Sequence, residues 1–544
     1  MTQLLGIFGF LVVLLRAAIL CAQTLAVGGI LFLILVARTK DERTENGVQA
    51  CWRLIRGSAA ALALAQLFFV VTNSVVLTYS TEVPLHDVLN ANFVLAGGLA
   101  IGATLVLWPR VLRSAPKMLM LLPAGLMLAA SVMTSHAASR MENRALLVGL
   151  TALHYLATAS WIGGLPYLLI TAKRLTDPEE RAAILRNFSR LAQVSVAVLF
   201  LAGSGMSWVY VGSWAALYGT AYGVMLAVKL FLFLVLLLLG AANFYLVRGL
   251  AADAGTGERS LLRFGEVEIG IGLSVILAAA SMTSQPPGAD LTQDRVTLQE
   301  IAQRYEPRMP RFSSPGVSEI SESTDELTRK AEALGKTVPA SFVPGQSGFS
   351  TDSPADRAWS EYNHNCAGLV VFLMAILALL SRSRYFEWAK IWPLAFLLLA
   401  AFLFFRADPE NWPLGPNGFW KSFTVPDVLQ HRLAVVLIIV FAVFQYCVET
   451  GRLKSMAAAL VFPMVCAAGG VVLLTHTHAL TNVKEELLAE LSHTPLAVMG
   501  ILAGWSRYLE LRLPKENRTG KYLAWVWPLC FMLVGMILMD YHES

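Results

Sequence analysis

Long apolar runs, each about the length needed to cross a lipid bilayer, constrain this chain more than any other feature. A membrane-spanning helix needs about 20 mostly apolar residues, and a scan at that length finds about fourteen such runs. Only 15% of the 544 residues are charged, whereas soluble domains average about 25%. The sequence therefore predicts an all-α, polytopic membrane helix bundle in the lipid bilayer, and it excludes a cytosolic enzyme and a nucleic-acid-binding protein.

A polar stretch separates the apolar runs into two blocks. Residues 284–360 are rich in Pro, Ser, Glu and Arg and are too polar for lipid. We expect residues 1–283 to form a membrane block of about eight helices and residues 361–544 a second block of about six. Residues 284–360 are interpreted as an insert on the outer side that acts as a covering linker without chemistry of its own. In the second block, Val483–Leu491 is predicted to form a separate short helix at the outer interface.

Lysine and arginine residues in the short loops define the orientation. They alternate between the two sides of the predicted bundle, with about five times as many on one side as on the other. Since basic loops face the cytoplasm, we expect a multi-pass membrane protein with both termini on the outer side. The net charge of +5 fits these loops and does not indicate an anionic partner. The apolar N-terminal run lacks a basic region before it, so we expect a retained first helix.

Several common chemistries have no motif in this sequence. The six cysteines are scattered without a CxxC pair, so neither a disulfide framework nor a zinc site is predicted. The sequence contains no GxxxxGK[ST] phosphate loop for ATP-driven transport and no CxxCH for covalent haem. We therefore expect no enzymatic activity and name no catalytic residue.

The nine histidines all fall at or near the predicted outer face. Because Lys and Arg alone define that face, the clustering of the histidines is an independent observation. Imidazole suits copper, and methionine thioether favours the cuprous ion. The candidate copper ligands in the second block are His476, His478, His493 and His431. The candidate ligands in the first block are His86, His136, His154 and Met133.

Charged residues within apolar runs form a second functional signal, because an ionisable group in lipid is costly. Lys229 lies in the seventh run, and a structural role and a functional role are equally compatible with it. Arg16, Glu266 and Glu268 are interpreted as snorkelling residues or as members of structural ion pairs.

Several short motifs follow one another in a fixed order between His154 and Pro287. They are LHYLATASWIGGLPY, RNFSRLAQVSV, LAGSGMSW, YGTAYGVMLAVK and AANF, with Pro286 and Pro287 at the end. In this order they resemble the copper resistance protein D (CopD) family of inner-membrane proteins. The resemblance implies a multi-pass protein of the bacterial inner membrane, so that the outer side, with both termini, is the periplasm and residues 284–360 form a periplasmic insert. It also implies a protein that moves copper towards the cytoplasm and works with a soluble periplasmic copper carrier of the CopC type, here expected to be a separate chain. The resemblance also implies that His154 and Lys229 of this chain occupy positions that belong to the family's motifs.

The preferred interpretation is copper capture at the periplasmic face, with Lys229 tuning the local electrostatics without binding the metal. Two alternatives remain open. A b-type haem protein that transfers electrons between quinone and a periplasmic acceptor would ligate haem with His431 and His493. A membrane assembly factor would instead dock a copper-loaded partner without moving the metal.

Overall fold

The chain folds as an array of helices. The computed structural model describes residues 2–37, 45–81, 83–108, 117–175, 177–249, 254–292, 295–320, 354–409, 411–423, 426–475, 483–514 and 517–542. Within these ranges all regular secondary structure is helical. One isolated β-bridge joins Asn411 and Asn417. The all-α prediction is therefore confirmed for the described part of the chain.

The first of two compact units spans Met1–Arg295. Its helices are α1 (Thr2–Leu35), α2 (Glu45–Thr81), α3 (Leu85–Leu89), α4 (Asn92–Val106), α5 (Leu121–Met133), α6 (His136–Ser139), α7 (Arg144–Thr158), α8 (Leu165–Ala172), α9 (Pro178–Val211), α10 (Trp214–Gly219), α11 (Ala221–Gly249) and α12 (Ala254–Met282). A 3-10 turn, Lys117–Met120, precedes α5, and a π-helix, Ala159–Gly163, joins α7 to α8.

The second unit spans Val296–Ser544. Its helices are α13 (Leu298–Arg304), α14 (Pro354–Leu380), α15 (Ala395–Arg406), α16 (Phe419–Ser422), α17 (Pro426–Glu449), α18 (Met456–Thr475), α19 (Val483–Arg512) and α20 (Arg518–Met539), with 3-10 turns at Val317–Glu319 and Glu387–Leu394. Helix α19 runs through Val483–Leu491 without a break and contains Pro495. The prediction of a separate interfacial helix is therefore wrong, because the helical spacing of that segment continues into the next apolar run.

Among the described residues, ten helical stretches are long and apolar enough to cross a membrane, and the chain is a multi-pass membrane protein. Two shorter apolar helices, Asn92–Val106 and Met118–Met133, lie where the sequence predicts two further spans. Helices α12 and α19 lie at two other predicted spans and carry several charged residues. The total of about fourteen spans stays a prediction.

Helix α1 lies at the centre of the first unit and packs against α2, α12 and the π-helix. It approaches the π-helix through two glycines. A Cβ atom added at Gly28 would lie 2.4 Å from the carbonyl oxygen of Ala159, and one added at Gly163 would lie 2.0 Å from that of Thr24. Small residues at such a crossing let two backbones touch, as is common between membrane helices.

The core of the second unit is aromatic. The ring of Trp392 lies 5.2 Å from that of Phe462 and 5.3 Å from that of Trp527, measured between centroids. Around this core α18 packs on α19, and α14 packs on α20. These two helix pairs set the positions of the side chains at both ends of the second unit.

A group of charged side chains ties four segments together at the end of the second unit that is predicted to face the cytoplasm. Arg507 contacts Glu449 at 3.1 Å and Glu510 at 2.7 Å. Arg382 also pairs with Glu510, and the Trp527 indole donates to the same carboxylate at 3.1 Å. We call these five residues the arginine–glutamate network. Because its members come from segments distant in sequence, the network holds those segments together.

The described part of the predicted insert divides between the two units. Residues 284–292 and Arg295 belong to the first unit, and residues 296–320 belong to the second. In the second unit the Arg304 side chain is 6% exposed and donates to the Ser492 hydroxyl at 3.1 Å. This segment therefore lies against the end of α19 that carries His493.

Candidate functional site

The predicted copper ligands lie at several separate places in the described structure. His476 and His478 are outside the described residues. Within the described ranges, no group of three or more His, Cys, Asp or Glu side chains is arranged to hold a metal ion. The geometry of each candidate is therefore described in turn, by unit.

Two histidines meet in the second unit, His364 on α14 and His493 on α19. Their ring centroids are 6.3 Å apart. The Nδ1 atom of His364 lies 2.8 Å from the backbone carbonyl oxygen of Ser360. A carbonyl accepts only from a protonated nitrogen, which assigns the proton to Nδ1 and leaves a lone pair on Nε2. Histidines that bind metals generally use their second nitrogen in this way.

The second unit holds His364 in place through a chain of contacts. Its ring stacks on that of Tyr541 with 4.0 Å between centroids. The guanidinium of Arg304 lies 4.8 Å from the centroid of Tyr541, on the face of the ring. The amide of Asn365 donates to the backbone carbonyl of Tyr541 at 2.9 Å. These contacts limit the rotation of the His364 ring relative to α14.

Sequence reasoning placed His364 at the periplasmic face but did not include it among the candidate ligands. The sequence separates His364 from His493 by most of the second block, and α14 and α19 are not consecutive helices. The only available signal was that both residues lie at the same predicted end of the bundle. Their convergence depends on how the helices are rotated, which a single sequence does not show.

His431, on α17, pairs with a carboxylate. Its Nδ1 atom lies 2.8 Å from Oδ1 of Asp408, a side chain that is 9% exposed. The neighbouring Arg432 donates to the backbone carbonyls of Phe404 and Trp412 at 2.7 and 2.8 Å. A histidine held by a carboxylate is a common arrangement around metal ligands.

In the first unit, His136 begins α6 and packs near Tyr210, with 6.4 Å between ring centroids. Its Nε2 atom is buried and has no hydrogen-bond partner among the described residues. Met133, the last residue of α5, has 38% of its surface exposed. Burial lowers the pKa of His136, and the positive charges of Arg16 and Arg140 lower it further.

The lowered pKa of His136 predicts an acid-sensitive first unit. Below the ordinary histidine value of 6.5, the unfolded chain binds a proton that the folded His136 does not. The free energy of unfolding therefore falls as the pH decreases through this range. We expect His136→Gln, measured without copper by thermal unfolding in detergent, to lose less stability on acidification than the wild type. An equal loss in both proteins would contradict this assignment.

His154 lies on α7 opposite Gly203 of α9, where an added Cβ would be 3.9 Å from the imidazole Cε1. The Nδ1 atom of His154 is buried without a hydrogen-bond partner among the described residues. Lys229, on α11, lies close enough for its charge to act on this imidazole. The two positions that the family resemblance carried over are therefore electrostatically coupled. His86, in contrast, has a side chain that is 77% exposed and contacts Asp87 at 3.0 Å.

The two acidic residues of the eighth predicted span differ in their surroundings. Glu266 pairs with Lys173 at 3.0 Å and with Arg263 at 2.7 Å, so its interpretation as a structural ion-pair residue agrees with the structure. Glu268 is 2% exposed and accepts a hydrogen bond of 2.5 Å from the Asn243 amide. The Trp161 indole of the π-helix lies close enough to act as a donor to the same carboxylate. Glu268 is therefore neither a snorkelling residue nor a member of an ion pair among the described residues.

Comparisons with known proteins connect the first unit to copper. Residues 182–282 match the family described as Copper resistance protein D. The chain is 33% identical over 163 residues to the Copper transport protein CutJ of Bacillus subtilis (strain 168), in a match that covers 29% of each protein. The matched region thus spans less than a third of that relative. No solved structure matches the chain.

Proposed function

Since residues 182–282 place this chain in the CopD family over that segment, we propose that it captures copper ions at the periplasmic face of the bacterial inner membrane and transports them towards the cytoplasm. Copper is the cargo of this process, and no covalent chemistry takes place. A separate periplasmic carrier of the CopC type supplies the ion. Both chain termini lie on the periplasmic side.

The observation that carries this proposal is the approach of His364 to His493. A metal–nitrogen bond is about 2.0 Å, and a ring nitrogen lies about 1 Å from its ring centre. Two imidazoles on opposite sides of one ion therefore have centroids roughly 6 Å apart. The separation of 6.3 Å fits this requirement.

The donor set of this pair favours copper over the common hard cations. Imidazole nitrogen suits copper, whereas magnesium and calcium prefer carboxylate, carbonyl and water oxygens. The segment that joins α18 to α19 contains His476 and His478, which are the proposed additional ligands. His431, held by Asp408, also belongs to the second unit. It is the residue proposed to receive the copper ion after the His364–His493 pair.

The first unit would provide a second set of ligands for the copper ion. His136, with Met133 near it in sequence, offers a buried ring nitrogen, and His154 offers another. Lys229 tunes the electrostatics beside His154 and does not bind the metal. The exposed His86 is the proposed point of first contact with the copper carrier.

A metal assay on the detergent-purified protein tests the proposal. We expect copper to bind the wild type stoichiometrically, with no Soret band in the absorption spectrum. The double variant His364→Ala/His493→Ala should bind copper at least about 100-fold more weakly, since both ring ligands are removed. His542→Ala is the matched control, because its ring bonds to two backbone carbonyls, of Asp540 and Gln303. The variant His476→Ala/His478→Ala tests the additional ligands.

Other outcomes point to other sites or functions. Copper binding that is retained in His364→Ala/His493→Ala but lost in His136→Ala/His154→Ala would move the capture site to the first unit. Two imidazoles that face each other from different helices also suit a b-type haem. A Soret band that shifts on reduction would therefore favour electron transfer. Copper binding without uptake into vesicles, together with binding of a copper-loaded partner, would favour an assembly factor.

A further inference from the structure

A buried carboxylate in the first unit has no role in the copper-capture site. Glu268 lies within α12, and its side chain is almost completely enclosed, with 2% exposure. Its two hydrogen-bond donors come from different elements, Asn243 from α11 and Trp161 from the π-helix. The carboxylate is therefore held at a junction of three helical segments.

No described charged group neutralises Glu268. Three basic residues on or next to the elements packed around it, Arg263, Lys173 and Arg16, have other partners, and Lys229 lies several turns away. On α12 itself, Arg263 pairs with Glu266, which also pairs with Lys173 after α8. On α1, Arg16 bonds to Thr283, just beyond the far end of α12. On α11, Lys229 lies about 21 Å from Asn243 along the helix, at 1.5 Å per residue.

An unpaired carboxylate is costly inside a membrane protein, because burial without a cation disfavours the charged form. Binding one proton removes this cost. The side chains around Glu268 can form hydrogen bonds with both the ionised and the protonated form of its carboxyl group. In the ionised form, the Asn243 NH2 group and the Trp161 indole both donate to it. In the protonated form, the same amide turned over can accept the carboxyl proton through its oxygen, since Asn carries a donor and an acceptor.

The orientation of Asn243 supports this assignment. Its Oδ1 atom is buried and has no hydrogen-bond partner among the described residues, whereas its nitrogen bonds to Glu268. A purely structural amide would be expected to satisfy both of its polar ends. An amide that hydrogen-bonds to both the ionised and the protonated form of one carboxyl group uses its nitrogen for the first and its oxygen for the second, so one of the two atoms is always without that partner.

We propose that Glu268 is a proton-binding residue within the membrane, and that its loading and unloading accompany the movement of copper through the first unit. The inference rests on the proposed copper transport. The carboxylate takes one proton from water at one face and releases it to water at the other, without any redox change. Carboxylate and amide oxygens are poor ligands for the cuprous ion, so the proton is the ligand of this site.

The π-helix provides a physical connection to the copper-binding side. Trp161 follows His154 by about two helical turns in the same helical segment. An ion that moves the His154 segment therefore also moves a hydrogen-bond donor to Glu268. π-Helices of one turn are frequent at functional sites.

Reconstituted vesicles provide the transport test. Full-length wild type, Glu268→Gln and the control Glu266→Gln are supplied with cuprous ion outside, with a copper(I) chelator and a pH-sensitive dye inside. We expect a pH gradient to stimulate copper uptake in the wild type and in Glu266→Gln. In Glu268→Gln this stimulation should fall by about tenfold or more, because the amide cannot exchange a proton. Equal stimulation in wild type and Glu268→Gln overturns the proposed coupling.

Infrared spectroscopy tests proton binding without requiring transport. The pH-induced difference spectra of the wild type and Glu266→Gln should share a carboxylic-acid C=O component that the spectrum of Glu268→Gln lacks. If wild-type vesicles take up no copper, the proposed transport fails, and a band that is missing only in Glu268→Gln still supports proton binding at Glu268. Identical spectra for the wild type and Glu268→Gln overturn the inference.

Discussion

Replacing Gly163 by alanine is expected to destabilise the first unit strongly, whereas replacing Gly149 is expected to leave it intact. A Cβ atom at Gly163 would lie 2.0 Å from the carbonyl oxygen and 2.8 Å from the carbonyl carbon of Thr24. These are backbone atoms, so no side-chain rotation relieves the clash, and α1 must move away from the π-helix. Overpacking costs about 1–3 kcal/mol, and sometimes more. We expect the upper end of that range.

Gly149 is a matched control because it lies on α7, in the same helical stretch as Gly163. A Cβ atom at Gly149 would meet no other atom within 4 Å. Alanine there also removes the helix penalty of glycine, which is about 0.5–1 kcal/mol. Thermal unfolding in detergent should therefore show Gly163→Ala melting about 6–12 °C below the wild type and Gly149→Ala at or slightly above it. Equal melting temperatures for the two variants would show that α1 and the π-helix are not in backbone contact.

Removing Glu510 is expected to have the second large effect, in the other unit. Glu510 is 14% exposed and pairs with both Arg382 and Arg507, whose guanidinium groups lie 5.1 and 5.4 Å from the Trp527 ring. Alanine at this position leaves two arginines close together, with Glu449 as the remaining carboxylate of the network to neutralise them. Breaking a buried pair by removing one partner costs about 3–5 kcal/mol. We expect Glu510→Ala to lower the stability of the second unit by an amount of that order.

The contrast with an exposed ion pair makes the Glu510 prediction specific. Glu387 is 75% exposed and lies 3.9 Å from Lys390, three residues away. Exposed pairs of this kind contribute about 0–1 kcal/mol, so Glu387→Ala should melt close to the wild type. Thermal unfolding followed by tryptophan fluorescence compares the two, because Trp527 reports on the network directly. Similar effects of both substitutions would mean that the arginine–glutamate network does not stabilise the second unit.

Local sequence patterns were sufficient for the general architecture. Apolar runs of bilayer length predict helices because lipid requires every backbone polar group to bond within its own segment. The part of the chain that the structure describes contains ten such helices, and the chain is a multi-pass membrane protein. The ordered motifs between His154 and Pro287 also predicted the copper family, and the match over residues 182–282 confirms that resemblance.

Irregular and continuous helices were harder to predict. The π-helix at Ala159–Gly163 has no distinctive sequence pattern, since its residues are as apolar as those of an ordinary span. Helix α19 continues through a segment whose apolar residues at helical spacing suggested a separate interfacial helix, because that spacing runs on into the next apolar run.

The sequence by itself determined the helical class, the membrane environment, the polar insert and the side of the membrane at which histidines were expected. These follow from composition and from short-range spacing, which depend only on neighbouring residues. Only the tertiary structure decided that His364 lies beside His493 and that Glu268 is enclosed by Asn243 and Trp161. Such contacts depend on the rotation and depth of helices far apart in the chain, and a hydrophobic pattern leaves both undetermined because lipid does not distinguish between apolar helix faces.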